Sequence, residues 1–141
     1  MKNKKALFGV IFGVIFIISS IVVYTAAPLT VHFIDVGQGD SILIQTPSQN
    51  ILIDGGERTA GPIVTNYLRK QGVKKLDLVV STHPHTDHIG GLIEVLKAFP
   101  VKEVIDPAVI HTTKTYEEYL TLIDQKNIKF TEGRAGLNRN L

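Results

Sequence analysis

Three of the chain's five histidines fall within six positions, His83-Pro84-His85-Thr86-Asp87-His88. Any fold must either leave this concentration in water or give it partners, because buried imidazoles and carboxylates without hydrogen bonds are costly. The segment follows Leu76 to Val80, a β-rich run, and should leave that strand as a loop. Side chains alternate along extended backbone, so His83 and His85 point to one side and can share a metal ion. A turn after them lets Asp87 and His88 face a second position. Imidazole and carboxylate donors suit zinc, and also manganese or iron. The chain has no cysteine, so a metal site must use His, Asp, Glu or water. A histidine-rich surface loop that binds nothing is the plainer reading of the same residues.

The flanking pattern predicts an α/β fold. Val31 to Val36 is a β-type run stopped by Gly37-Gln38-Gly39-Asp40. Ser41 to Gln45 is a second run, and Ile51 to Ile53 a third, closed by Asp54-Gly55-Gly56. A helix is expected from Pro62 to Gln71, with Ile63, Val64, Tyr67 and Leu68 on one face and Gly72 as its stop. Another should run from Gly90 to Phe99, where Leu92, Val95, Leu96 and Phe99 recur at helical spacing before Pro100. Val104-Ile105 reads as a strand, Tyr116 to Ile123 as a third amphipathic helix, and Ile128 to Phe130 as a last short strand. Strands first, then alternating helix and strand, argue for a sheet of about five or six strands with helices packed on one side. The His83 loop is expected at the edge of that sheet. Gly133 to Leu141 reads as a loop that is cut short.

Ala6 to Ala27 contains no charged residue over 22 positions, long enough for a bilayer-spanning helix. Lys2, Lys4 and Lys5 precede it, which puts the N-terminus inside and the following domain outside. The segment reads as a membrane anchor or as a cleaved signal, and both export the domain. The expected division is therefore residues 1–28 as anchor or signal and residues 29–141 as one domain, placed at the cell membrane or secreted. Without those three lysines, 12 basic residues face 13 acidic ones. That balance offers no basic patch for tight nucleic-acid binding.

The stretch STHPHTDHIGGL, residues 81–92, closely resembles the H-x-H-x-D-H signature of the metallo-β-lactamase superfamily. HFIDVGQGDSILIQT (residues 32–46) and NILIDGG (50–56) extend the resemblance to the hydrolase domain of competence proteins of the DNA-uptake channel type. It is strong from Thr30 to Phe99 and fades beyond. It implies the N-terminal part of an αββα fold, with His83 and His85 on one metal and Asp87 and His88 on a second, usually zinc. Asp87 is the candidate catalytic residue. It also implies that Asp54 stands behind the ligand loop and orients it, although Asp54-Gly55 suits a simple tight turn as well. Asp40 is expected to face the site, Asp35 to be structural, and His32 to pack within its strand. The family completes its metal sites with downstream ligands. Only His111 follows the motif here, and it reads as a loop histidine.

The function implied is an exported, membrane-anchored, metal-dependent hydrolase of phosphodiesters, acting on nucleic acid or a cell-surface polymer. A β-lactam is a less favoured substrate, since the superfamily is chemically broad. The alternative is a truncated or degenerate copy without catalytic activity, binding metal weakly. A binding module for surface polymers is a third class, without direct support in the sequence.

Overall fold

The computed structural model describes residues 28–140. The anchor or signal expected at Ala6 to Ala27 lies outside them. Among the described residues, no helix is long and apolar enough to cross a membrane.

Six strands form one sheet in sequential order: β1 (Thr30–Phe33), β2 (Ile42–Gln45), β3 (Asn50–Ile53), β4 (Leu78–Val80), β5 (Glu103–Asp106) and β6 (Lys129–Glu132). β1, β2 and β3 form an antiparallel meander, and β3 to β6 run parallel. The change of sense follows from connection length. A short turn at Thr46 to Gln49 reverses the chain, whereas each parallel return needs a helix-bearing crossover. Those crossovers carry α1 (Gly61–Lys70), entered through a 3-10 turn at Arg58–Ala60, then α2 (Thr86–Ile89) with α3 (Leu92–Ala98), and finally α4 (Lys114–Gln125).

The register aligns Leu43, Leu52, Val79 and Val104 across four neighbouring strands, each fully buried. This row meets Val64 and Leu68 of α1, Leu92, Val95 and Leu96 of α3, and Tyr119 and Ile123 of α4 in one continuous core. The alternate row, Phe33, Ile42, Ile53 and Val80, faces away from the core row, and Phe33 is 79% exposed. In α1 the buried face is Gly61, Val64, Thr65 and Leu68, while Ile63, expected inward, is 49% exposed. Pro62 in the first turn supplies the φ that starts this helix. α4 begins at Thr113, whose hydroxyl accepts the Tyr116 amide hydrogen, as an N-cap threonine does.

Two expectations need correction. The His83 loop does not lie at the sheet's edge: it leaves β4, an interior strand paired on both sides by β3 and β5. Nor does one helix run from Gly90 to Phe99. The chain is already helical from Thr86 to Ile89, and a second helix starts at Leu92. The His85 carbonyl accepts from the amides of His88 and Ile89, which closes a helical turn where a loop was expected.

Candidate metal centre

The site is built at the C-terminal ends of β3, β4 and β5. Parallel strands deliver their following residues to the same rim, so Asp54, Thr82, His83 and Asp106 are neighbours although far apart in sequence.

Asp54 is 1% exposed and has left-handed backbone, φ 55°. Its amide still donates to the Val80 carbonyl at 2.9 Å, so β3 stays joined to β4 while the chain turns. That turn aims the carboxylate at the ligand loop. Oδ1 accepts the Thr82 amide at 2.8 Å, and Oδ2 accepts the Thr82 hydroxyl at 2.6 Å. Oδ2 also lies 2.9 Å from Nδ1 of His88. A carboxylate on Nδ1 makes that nitrogen the protonated one and leaves Nε2 as the donor available to a metal. Thr82 continues the network, its hydroxyl lying 3.0 Å from Nδ1 of His83.

Backbone contacts set the height of the ligand loop over the sheet. The Gly55 amide donates to the His88 carbonyl at 2.8 Å, and the Gly91 amide to the Gly56 carbonyl at 3.0 Å. A Cβ on Gly91 would stand 1.9 Å from the Gly55 oxygen, so only glycine allows this approach. Ile89, fully buried, fixes the rotation of α2. Asp87 and His88, on the same turn, remain partly exposed.

The imidazoles of His83 and His85 have centroids 4.8 Å apart and meet edge to face. Two imidazoles sharing one tetrahedral zinc, with Zn–N of about 2.0–2.1 Å, have ring centres roughly 5 Å apart. The His83 and His85 rings match that spacing. His83 and His88 are closer, at 3.9 Å, which is ring packing and too tight for a shared ion. The Asp87 carboxylate accepts the Gln38 amide at 3.3 Å. That bond comes first in holding its carboxyl below the usual carboxylate range, with the nearby His88 and His85 adding to it. The donors therefore fit a metal in chemistry and in the His83–His85 spacing. Among the described residues, however, no three side chains already stand in ligating geometry.

Asp40 stands 4.0 Å from His88 Nδ1, on the site as expected. Asp35 accepts the Gly37 amide and closes the β1–β2 turn. His32 packs edge to face on Tyr67, 5.8 Å between centroids, with Nδ1 3.1 Å from the Tyr67 hydroxyl. His111 is a half-buried loop histidine, but its ring lies 5.6 Å from that of His85, closer to the site than its place in the sequence suggests.

Behind His83 lies a buried network that no spacing announced. Asp106 is fully buried and accepts hydrogen bonds from the Ser81 and Tyr116 hydroxyls and the Ala108 amide. Tyr119 donates to Ser81 at 3.1 Å. One signal was available: Asp106 follows a hydrophobic strand run, as Asp54 does, and such strand ends share a rim in a parallel sheet.

Residues 34–137 match the metallo-beta-lactamase superfamily. The chain belongs to that superfamily. Recombination protein 2 of Haemophilus influenzae is 30% identical over 118 residues, covering 78% of this chain and 15% of that protein. ComE operon protein 3 of Bacillus subtilis is 28% identical over 124 residues, covering 75% of this chain and 16% of that protein. The chain thus spans about a sixth of the length of these relatives. Among solved structures, the metallo-beta-lactamase SMB-1 in complex with mercaptoacetic acid aligns with a TM-score of 0.50 and 29% identity, over 55% of this chain and 31% of that one.

Proposed function

We propose that this superfamily hydrolase acts on phosphodiesters with divalent metal, at the outer face of a membrane. The observation that carries the reading is the Asp54 carboxylate on Nδ1 of His88, which leaves Nε2 as the nitrogen that would ligate a metal. Carboxylates placed in this way commonly orient histidine ligands of metal sites.

His83 and His85 would hold one ion, and Asp87 with His88 a second, with zinc, manganese or iron as suitable occupants. Such ions supply Lewis acidity toward a phosphoryl oxygen and a water nucleophile at neutral pH. The protein's part is orientation. Asp54 and Thr82 set the His83 and His88 rings, and Gln38 bonds the Asp87 carboxylate. Paired metals suit in-line displacement at phosphorus, which favours a diester over a β-lactam. The competence and recombination names of the relatives support nucleic acid as the diester, and a cell-surface polymer has the same chemistry. The near-neutral charge beyond the first lysines favours transient contact over tight binding. Ala6 to Ala27 would tether the domain, as an anchor or a signal later removed.

The full chain, purified with zinc or manganese, should cleave bis(p-nitrophenyl) phosphate faster than p-nitrophenyl phosphate or nitrocefin. Chelation, His85→Ala and Asp87→Ala should each abolish that turnover. Faster nitrocefin cleavage would refute the substrate class, and no metal-dependent turnover on any of the three would refute the enzyme. The tether is tested separately with a C-terminal tag on intact cells. External protease should remove it, and a protected tag would refute export.

A further inference from the structure

The tetrapeptide Gly37-Gln38-Gly39-Asp40 joins β1 to β2 and has no role in the chemistry above beyond one hydrogen bond. A two-stranded connection does not need this sequence, yet every residue of it is committed. Asp35 accepts the Gly37 amide at 3.2 Å. Gly39 lies directly on the ligand turn: with φ +90°, an added Cβ would fall 1.7 Å from the Asp87 carbonyl oxygen. The Asp40 carbonyl accepts the Gly56 amide at 2.9 Å, tying the loop to the residues that follow Asp54. The Asp40 carboxylate reaches 4.0 Å from His88 Nδ1, and Gln38 donates from its side-chain amide to Asp87 Oδ2 at 3.3 Å.

Three of these contacts, from Gln38, Gly39 and Asp40, fall on two consecutive residues, Asp87 and His88. Asp54 holds His88 from within the sheet, whereas the β1–β2 loop reaches the pair from solvent. Nothing else bonds the Asp87 carboxylate through a side chain among the described residues. Without Gln38 the carboxylate loses the one side chain that bonds it among the described residues. With it, one oxygen is occupied and the other is left in a defined direction.

We propose that the Gly37–Asp40 loop is a clamp for Asp87 and His88, and that Gln38 is a positioning residue for metal binding through Asp87. The proposal rests on the reading that Asp87 and His88 hold a metal. It assigns the glutamine by its donor amide and Gly39 by the contact distance that lets the amide reach. An isosteric glutamate fills the same space but offers only acceptors, so it separates positioning from packing.

The test is a cobalt(II) titration of the full chain in detergent, read from the visible absorption bands, with zinc competition for affinity. Thermal melts of the metal-free proteins run beside it. Wild type, Gln38→Ala, Gln38→Glu, Asp87→Ala and the exposed control Gln125→Ala are compared. Loss of an outer partner of this kind typically weakens metal binding about 10- to 100-fold. Both Gln38 variants should show such a loss with unchanged melting temperature, and Gln125→Ala should match wild type. Wild-type affinity in either Gln38 variant overturns the clamp and leaves the metal reading intact. A matching drop in melting temperature overturns it too, by showing general loosening. If Asp87→Ala binds cobalt as wild type does, or wild type binds none, the metal reading falls and takes the clamp with it.

Discussion

The Asp54 carboxylate lies 2.9 Å from Nδ1 of His88 and accepts both the amide and the hydroxyl of Thr82. One buried side chain thus ties β3, the exit of β4 and helix α2 together. Asp54→Ala removes the acceptor of three donors, the Thr82 amide, the Thr82 hydroxyl and His88 Nδ1, and each such hydrogen bond contributes about 0.5–1.5 kcal/mol. Asp54→Asn keeps the size and tolerates the left-handed backbone, but it replaces one acceptor oxygen with an NH2. Urea denaturation should show a clear loss for alanine and a smaller one for asparagine. Metal affinity should fall in both, since neither holds His88 Nδ1 with a charged acceptor.

Leu52 sits at the centre of the buried row, between Leu43 and Val79, with no exposure. Leu52→Ala should destabilise the domain by about 2–5 kcal/mol, the range for a leucine whose cavity cannot collapse. A chemical denaturation midpoint that moves little would mean that the sheet and helices repack around it.

Gly91→Ala places a methyl group 1.9 Å from the Gly55 carbonyl. The ligand helix must lift from the sheet, breaking the Gly91–Gly56 and Gly55–His88 hydrogen bonds. A loss of more than about 2 kcal/mol is expected, as for other overpacked positions. Hydrogen exchange at the Gly55 and Gly91 amides should accelerate. Exchange unchanged from wild type would contradict the contact.

Burial, and then the charge of Asp106, push the Tyr116 phenol up to about 12. Burial pushes Tyr119 up as well. A raised folded-state value favours the neutral phenol in the native protein. Its stabilisation is complete below the unfolded value of about 10 and is lost as pH rises toward 12. Urea midpoints should therefore decline between pH 10 and 12. Tyr116→Phe should lose about 1 kcal/mol at pH 7, with its hydrogen bond to Asp106, and decline less steeply above pH 10. An equally steep decline would assign the alkaline loss elsewhere.

Much of this architecture could be read from short-range signals. Val31 to Phe33, Ile51 to Ile53 and Leu78 to Val80 announce strands through β-branched residues, and each ends near a glycine, aspartate or histidine turn. His83, His85, Asp87 and His88 are adjacent in sequence, and so legible as a group. What alternation does not tell is which side of the sheet receives the helices. Ile63 and Phe33 are exposed although each belongs to an apolar pattern. Long-range pairs were also hidden. Gln38 and Asp87 are 49 residues apart, and Ser81 and Asp106 are 25 apart. No local rule links such pairs until strand order is known. His111 reads as a loop histidine and is one, but only the path of the loop following β5 brings it beside His85.

The parallel run from β3 to β5 has a metric consequence. Adjacent strands lie about 4.8 Å apart. Groups carried off successive strand ends inherit that interval from main-chain hydrogen bonding, before any side chain is chosen. The sheet therefore acts as a ruler: exchanging loops alters which atoms face a substrate, while the pitch on which they are mounted stays constant.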